Sequence, residues 1–487
     1  MPCTTLLVGK KASYDGSTMT ARNDDGNYDV KQLISVTPDK QPRKYTSKIG
    51  HLTIDLPDNP LRYTSNQSVD MWQGYWAANG INSANVGMTA TETTTTNALV
   101  LGADPMVCYK KAESKKEKDI PGGIGEEDLV VLTLPYIHSA REGVTRLGSL
   151  LEQYGTYESN GIAFNDKDEI WWFESIGGHH WIARRVRDEE VVIMPNQFGL
   201  DRFDFDDAYG AQKENMCSAD LKEFMEKNHL DLNNGETFNP RDAFGSHCDG
   251  DHVYNTPRAW YMGRCLCPTK YKWDGENADF TPLSDNIPWS FVPERKLSVE
   301  DMKYILGTHY QGTKYDPYRK GDNPEKGMYR PIGKNNTGVM AVLQIRDYVP
   351  AEISAVEWVC FGATTFDALT PIYANTDKVP EYLSKVGKEV STDNFYWNSR
   401  LIAALADAAF SHAIMPVERY QNAMAAPSHR IINEYDKKMT ESGDFSLIAE
   451  ANKALCDNAR KETSKALGNM LGEATSHMKI GFNRGDN

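Results

Sequence analysis

The stretches Cys3–Val8 (Cys-Thr-Thr-Leu-Leu-Val) and Ser17–Arg22 (Ser-Thr-Met-Thr-Ala-Arg) decide our interpretation of the fold. Both are rich in threonine and in small or branched apolar residues, a composition typical of strands. The link between them carries Asp15-Gly16, which is a turn signal. We therefore predict that the two stretches pair as an antiparallel hairpin.

The register of this hairpin determines which side chains meet. If Val8 pairs with Ser17, the numbers of paired residues sum to 25, and Cys3 lies opposite Arg22. A slip of one residue would break this prediction, because it would turn one strand's side chains to the other face.

The middle of the chain predicts more antiparallel sheet. Short strand-like runs separated by polar or glycine-containing turns are typical of a meander. They are Gly161–Asn165, Glu169–Ser175, His179–Val186 and Val191–Met194.

Later segments complete the predicted architecture. Further strands are expected at Val339–Ile345 and Ser354–Phe361. From about residue 381 to 476 the sequence favours helices, with Pro416 and Pro427 as expected breaks. Strands followed by helices predict an α+β layered protein.

Charge and hydropathy exclude several classes of protein. The 487 residues carry 53 Lys and Arg against 68 Asp and Glu, a net charge of −15. This acidic balance argues against nucleic acid and anionic membranes as partners, because both bind basic patches. No stretch approaches the roughly 18–20 apolar residues of a membrane span, and the first residues lack the features of a secretory signal. We expect a cytoplasmic protein.

A cysteine at position 3, on the first predicted strand, could be an N-terminal nucleophile. If the residues before it are removed, Cys3 has both a thiol and a free α-amine. An α-amine has a pKa of roughly 7.7–8.0, against roughly 10.4 for lysine, so it can accept the thiol proton at neutral pH. The alternative is that Cys3 is a small apolar residue on an edge strand.

The surroundings of Cys3 favour the first interpretation. The sequence of residues 3–13, followed by 15–18 and 21–26, resembles the dipeptidase family of lactic acid bacteria (dipeptidase A type), within the N-terminal-nucleophile cysteine hydrolases. Bile-salt hydrolases and penicillin V acylases are more distant relatives. Later stretches carry the resemblance along nearly the whole chain: Trp171–Glu174, Gly178–Ala183, Pro195–Phe198, Pro257–Trp260 and Phe395–Asn398.

The resemblance implies a fold and an activity. The fold is a four-layer αββα sandwich over residues 1–380, with a helical segment over residues 381–487 packed on the same unit. The activity is hydrolysis of free dipeptides through a thioester acyl-enzyme, with no metal or organic cofactor. A homo-oligomer is also implied.

The resemblance further implies roles for residues near Cys3. Arg22 would lower the pKa of the thiol by its positive charge. Asp25 would hold the α-ammonium or orient the amine, and Asp24 is the alternative because side chains of a strand alternate between faces. For Arg22 and Asp25 the competing interpretation is a surface ion pair.

Two residues downstream match further family positions. Asn196 matches an asparagine that donates to the developing oxyanion, and Arg258 matches an arginine near the nucleophile. The alternatives are a turn-forming asparagine and an ordinary surface arginine.

The sequence departs from the family pattern at two places. A second oxyanion asparagine of bile-salt hydrolases corresponds to a position near Thr91 or Glu92, so that donor is missing or is a backbone amide. We hypothesise that Glu92 instead receives the free ammonium of a dipeptide. The second departure is Met1-Pro2, which must be removed to free Cys3.

Other functions remain as alternatives. One is an amidase or acylase of the same superfamily that acts on non-peptide amides. Another is a metallopeptidase using His247 and His252, although the nearby thiol pair of Cys265 and Cys267, one residue apart, has a spacing unlike a zinc site. His179 and His180 lie on a predicted strand, so their rings are expected on opposite faces. A binding protein without turnover is the third alternative.

Overall fold

A computed structural model describes residues 3–26, 29–234 and 237–480. Its strands are β1 Cys3–Val8, β2 Thr18–Asp25, β3 Lys31–Val36, β4 Lys44–Thr46, β5 Thr53–Asp55, β6 Tyr63–Ser68, β7 Asn79–Ile81, β8 Gly87–Thr89, β9 Glu92–Thr93, β10 Asn160–Asn165, β11 Ile170–Ile176, β12 His180–Val186, β13 Val191–Met194, β14 Asn215–Cys217, β15 Ser290–Phe291, β16 Thr337–Ile345, β17 Ala355–Phe361 and β18 Thr370–Tyr373. Its α-helices are α1 Ala98–Ala103, α2 Leu129–Thr133, α3 Ala140–Tyr154, α4 Phe205–Ala208, α5 Leu221–Asn228, α6 Pro240–Phe244, α7 Asp251–Tyr254, α8 Thr256–Leu266, α9 Val299–Leu306, α10 Ala351–Ser354, α11 Glu381–Ser384, α12 Phe395–Ala408, α13 Phe410–Ser442 and α14 Ile448–Ser476.

The first hairpin forms the middle of a large antiparallel sheet. Its strand order is β15-β13-β1-β2-β16-β17-β18, so β1 has a neighbour on each side. The predicted pairing of the first two strands is confirmed. Cys3 is therefore the first residue of an internal strand, and the edge-strand interpretation of this position is wrong.

The register of the hairpin differs from the prediction. Cys3 pairs with Asp24, so paired numbers sum to 27 rather than 25. The turn is longer because Ser17 donates its backbone N–H to Asp15 Oδ1 at 3.0 Å instead of joining the ladder. A shift of two residues keeps Arg22 on the same face as Cys3, whereas a shift of one would not.

The predicted meander is confirmed for three strands and wrong for the fourth. β10, β11 and β12 pair in order in a second sheet, β14-β12-β11-β10-β8-β7. β13 instead crosses to the first sheet and pairs with β1. The crossing depends on Gly9, whose N–H donates to Glu190 O at 3.0 Å. A Cβ on Gly9 would lie 2.4 Å from Arg187 O, so a larger residue cannot fit this approach.

The two sheets pack face to face, with helices outside them. Leu7 and Met194 of the first sheet share a buried apolar cluster with Trp172 and Ile182 of the second. On the outer side of the second sheet, α3 contributes Val144 and neighbouring apolar residues. The helices α8, α9, α13 and α14 contribute to the core on the outer side of the first sheet. The α+β class is confirmed.

The C-terminal helices pack on the first sheet, where α12 contacts β17 and α14 contacts β18. The breaks expected at Pro416 and Pro427 are wrong, because both prolines lie inside α13. α13 packs along α14, and this contact offsets the cost of a proline within a helix. Within the described ranges, no helix combines the length and the apolar character needed to cross a bilayer.

Candidate active site

The thiol of Cys3 lies between the two sheets beside one arginine. Cys3 is 0% exposed. Arg22 Nη2 donates to Cys3 Sγ at 2.7 Å. The same guanidinium donates from Nε to Thr91 O at 2.9 Å and from Nη1 to Ala78 O at 3.2 Å. Because several acceptors hold the guanidinium plane, its position against the sulfur is fixed.

Two carboxylates complete the surroundings of the thiol. Arg22 pairs with Asp24 at 3.1 Å and with Glu126 at 3.0 Å. Sγ and one oxygen of each carboxylate lie within 4.8 Å of one another. Lys31 Nζ lies 3.0 Å from Asp24 and adds a second cation. The nucleophile candidate is thus surrounded by alternating charges.

Sequence reasoning missed Glu126. The lysine-rich run and the Pro-Gly-Gly stretch within residues 111–128 predict a solvated surface loop, and residues 113–121 are indeed exposed. Glu126 is 2% exposed. The available signal was the run Glu126-Glu127-Asp128 directly before the apolar helix Leu129–Thr133, since acids at the start of a buried helix need partners.

Asp25 faces away from the thiol. It forms an ion pair with Arg330 and accepts a hydrogen bond from Thr337 Oγ1 at 2.5 Å. The alternation of side chains along β2 places Asp24, the alternative from the sequence, on the same face as Cys3. The structure therefore brings Arg22 and Asp24 to the thiol and directs Asp25 to the other side of the sheet.

Asn196 and Arg258 meet at the backbone of Cys3. The N–H of Cys3 donates to Asn196 Oδ1 at 3.0 Å, and Arg258 Nη2 donates to the same oxygen at 2.8 Å. Asn196 Nδ2 donates to Thr93 O at 3.1 Å. Arg258 Nη1 also donates to Cys3 O and, at 2.7 Å, to Thr4 Oγ1. The crossing of β13 into the first sheet is what delivers Asn196 to this position.

The segment around β9 forms another wall of the site. Glu92 is 0% exposed and accepts a hydrogen bond from Thr5 Oγ1 at 2.8 Å. Among the described residues, Glu92 Oε1 and Thr91 Oγ1 are buried without a hydrogen-bond partner. Burial raises the pKa of Glu92 to about 7, although Arg258 and Arg22 act in the opposite direction.

Comparison with known proteins decides the family. Residues 2–423 match the model of Peptidase family C69. The chain belongs to peptidase family C69. It is 49% identical to a dipeptidase of Bifidobacterium longum (strain NCC 2705) and 46% identical to a probable dipeptidase A of Streptococcus pyogenes serotype M3, in both cases over 100% of each chain. It is 42% identical to dipeptidase A of Lactobacillus helveticus, over 99% of this chain and 98% of that one.

Membership of family C69 confirms the resemblance expected from the sequence and identifies the chain as a hydrolase of the peptidase class. In this C69 peptidase, burial raises the pKa of the Cys3 thiol, and the positive charge of Arg22 only partly opposes this. Arg22 therefore lowers the thiol pKa as expected, but burial raises this pKa by more, so the net shift is upward. A thiol in this position needs a base to become a nucleophile.

Three histidines considered as metal ligands in this C69 peptidase, His179, His180 and His252, have aspartate partners. His179 and His180 were expected on opposite faces, but both rings bind Asp104, through Nδ1 at 2.9 and 2.7 Å. The prediction is wrong because β12 begins at His180 and leaves His179 in the turn. In the segment 247–252, His252 Nε2 lies 2.9 Å from Asp285 Oδ1.

Potential metal ligands converge at the thiol. Cys3, Asp24 and Glu126 form the one such group found within the described part of the chain. Arg22 lies on the sulfur and on both carboxylates. Because this guanidinium already supplies the positive charge, the donor set fits a metal ion poorly.

Proposed function

We propose that this C69 peptidase hydrolyses free dipeptides with Cys3 as an N-terminal nucleophile. The contact between Arg22 and Cys3 Sγ carries the proposal, because it pairs a fixed cation with a buried thiol at the start of a strand. The dipeptidases named among its relatives support the substrate class. Removal of Met1 and Pro2 is part of the proposal, and these two residues lie outside the described ranges.

The proposed reaction begins with proton transfer within one residue. The free α-amine of mature Cys3 accepts the thiol proton, and the sulfur attacks the carbonyl carbon of the dipeptide. The amine then protonates the leaving amino acid as the C–N bond breaks, which leaves a thioester. Water, activated by the same amine, attacks the thioester and releases the second amino acid and the thiol.

Asn196 and Arg258 support this reaction from one side. The Cys3 nitrogen already lies 3.0 Å from Asn196 Oδ1, so this oxygen can hold the amine after processing. Arg258 fixes the orientation of the amide through its own bond to Oδ1. We assign donation to the tetrahedral oxyanion to the NH2 group of Asn196, which also donates to Thr93 O at 3.1 Å. Such a donor is typically worth about 10²–10³ in rate.

Acidic groups favour a substrate with a free ammonium. We assign Glu92 and Thr91 to the binding of this ammonium, because both have a buried oxygen without a partner in the described chain. Asp24, within 4.8 Å of the thiol, takes the orienting role expected for Asp25. Asp25 acts in this proposal by holding Arg330.

We further infer that the two packed sheets and their outer helices are the αββα sandwich of the N-terminal-nucleophile hydrolases. Residues 1–380 and 381–487 then form one catalytic unit, since helices of the second segment pack on β17 and β18. We place the enzyme in the cytoplasm as a homo-oligomer that uses no cofactor.

The deciding experiment combines intact mass with substrate choice. A mature chain that begins at Cys3, and turnover of dipeptides but not of penicillin V or conjugated bile acids, is the expected result. Turnover of the amides alone would instead identify an acylase of the same superfamily. Active protein that begins uniformly at Met1 would contradict the mechanism.

A further inference from the structure

A cavity outside the candidate active site is lined by a buried lysine, Lys303, whose ammonium has no ion-pair partner among the described residues. Its volume is about 330 Å³, and it lies between α9 and α13. α9 packs on the outer face of the first sheet, whereas the Cys3 thiol faces the second sheet. The residues that matter for the argument are Lys303, Leu369, Phe410, Ile414 and Glu418.

Lys303 is the unusual member of this lining. The residue is 8% exposed, and within the described residues its ammonium has neither a hydrogen-bond partner nor an ion-pair partner. Lys31, which is also buried, pairs with Asp24 at 3.0 Å and donates to Trp76 O at 2.9 Å. A buried ammonium without a partner is costly, so Lys303 is expected to meet an anion that enters the cavity.

The neighbouring carboxyl group of Asp367 forms no ion pair with Lys303, although its charge raises the pKa of the lysine. Asp367 is 0% exposed, and burial raises its pKa well above the usual range, while Lys303 and Arg400 act in the opposite direction. Burial lowers the pKa of Lys303 to about 8, so most of this lysine remains protonated at neutral pH. No described carboxylate lies within 4.0 Å of the Lys303 ammonium, so the cavity presents a cation without a counter-charge in contact.

The other carboxylates that line the cavity differ in whether they have an ion-pair partner. Glu300 is paired with His429 at 2.6 Å, and Asp316 is paired with His309 at 2.9 Å. The Glu418 carboxylate has no hydrogen bond or ion pair to any described residue, and the residue is exposed. A carboxylate that is free to pair thus lies on the same cavity as the free ammonium.

We propose that this cavity binds a free amino acid with an apolar side chain. Its carboxylate pairs with Lys303 Nζ, its ammonium pairs with Glu418, and its side chain packs on Leu369, Ile414 and Phe410. The volume lies within the range of small-molecule pockets. This second site is separate from the proposed catalysis, so it stands or falls without the dipeptidase mechanism.

Calorimetric titration of the full-length protein tests the site with three probes. L-leucine carries both charges, L-leucinamide lacks the carboxylate, and 4-methylpentanoate lacks the ammonium. We expect L-leucine to bind. L-leucinamide should bind roughly tenfold more weakly than L-leucine, and 4-methylpentanoate a few-fold more weakly. Equal binding of L-leucine and L-leucinamide, or no L-leucine binding up to about 10 mM, would overturn the proposal.

Variants locate the binding. Lys303→Met is expected to weaken the binding of L-leucine roughly tenfold or more. Lys296→Met, at an exposed lysine, should leave this affinity unchanged. Since the change removes an unpaired buried charge, the melting temperature of Lys303→Met should not fall. If that variant does not fold, exposed Glu418→Gln is the substitute and should weaken L-leucine a few-fold. Unchanged affinity in a folded Lys303→Met, or in Glu418→Gln, places the ligand elsewhere and refutes the site.

Discussion

The two faces of β2 differ in what they contact, although they alternate residue by residue. One face presents Arg22 and Asp24 to the Cys3 thiol and to Glu126. The other presents Asn23, whose Nδ2 donates to Leu306 O at 2.8 Å, and Asp25, which pairs with Arg330. A strand can therefore separate reactive charges from anchoring charges by a single position. The comparison predicts that variants of the first face change turnover and that variants of the second change stability.

The largest effect is expected for a change of the Cys3 sulfur, which lies beside Arg22 and Asp24 on the first face of β2. Cys3→Ser replaces the sulfur with a poor nucleophile of nearly the same size. We expect kcat/KM for a dipeptide to fall by about 10³-fold or more, with little change in melting temperature. Cys108→Ser, at an exposed cysteine, is the matched control and should retain full activity. Turnover by Cys3→Ser close to that of the wild type would exclude Cys3 as nucleophile.

The next effect concerns the cation beside the sulfur. Arg22→Lys keeps the charge but loses the planar group that bonds Thr91 O and Ala78 O. We expect kcat/KM to fall about 10–100-fold, and the pH profile of thiol alkylation to move upward, because the cation is less well held at Sγ.

A buried arginine elsewhere provides the control for this change. Arg346 is 3% exposed and pairs with Asp436 at 2.6 Å. Arg346→Lys should lower the melting temperature and leave the alkylation profile unchanged. Equal effects of the two variants on alkylation would show that Arg22 has no special role at the thiol.

Asp24 and Asp25 give the most direct comparison of the two faces. Asp25→Asn leaves Arg330 buried without its counter-charge, which is expected to cost about 3–5 kcal/mol of stability. Asp24→Asn weakens the charge arrangement at the thiol and should lower kcat about tenfold or more. Thermal melting and steady-state kinetics measure both. A loss of kcat in Asp25→Asn at unchanged stability would restore the orienting role to Asp25.

The smallest effect is a pH dependence of substrate binding. With a pKa of about 7, Glu92 is neutral at low pH and becomes a carboxylate as the pH rises. The KM for a free dipeptide should therefore fall a few-fold as the pH rises through about 7, and Glu92→Gln should remove this change. An unaltered pH profile in Glu92→Gln would rule out Glu92 as the ammonium ligand.

Glu357 is the control for Glu92, because burial also raises its pKa to about 7. Glu357 accepts hydrogen bonds from Thr64 and Asn66, which oppose this rise in pKa only in part. A raised folded-state pKa stabilises the protein below the unfolded pKa of about 4.5, and this contribution is lost as the pH rises through about 7. Glu357→Gln should flatten that stability profile without changing KM.

Local pattern was sufficient to predict strands but not their partners. Threonine and branched residues identify Cys3–Val8 as a strand wherever it pairs. The register depended on one side chain, Asp15, which holds Ser17 in the turn. The sheet to which Val191–Met194 belongs depends on the approach of Gly9 to Arg187, a contact between residues far apart in the sequence. Strand composition carries no information about such contacts.

The candidate site shows the same limit. Cys3, Arg22, Asn196 and Arg258 were identified from the resemblance, and the structure brings them together. Glu126 was missed because its segment looks solvated and its partner is 104 residues away in the chain. Charge pairs across that separation become visible only when the sheets are packed.

The crossing of β13 has a consequence for dividing the chain into two fragments. A division within residues 113–121 has its new ends on an exposed loop and leaves Cys3 near the free N-terminus of the first fragment, so both sheets keep their connections. A division at residues 188–190 instead severs the covalent link that carries Asn196 from the second sheet to Cys3. The loop between β12 and β13 therefore helps to hold Asn196 at Cys3 through its length and its intact backbone, although it lies outside the set of residues that contact the thiol.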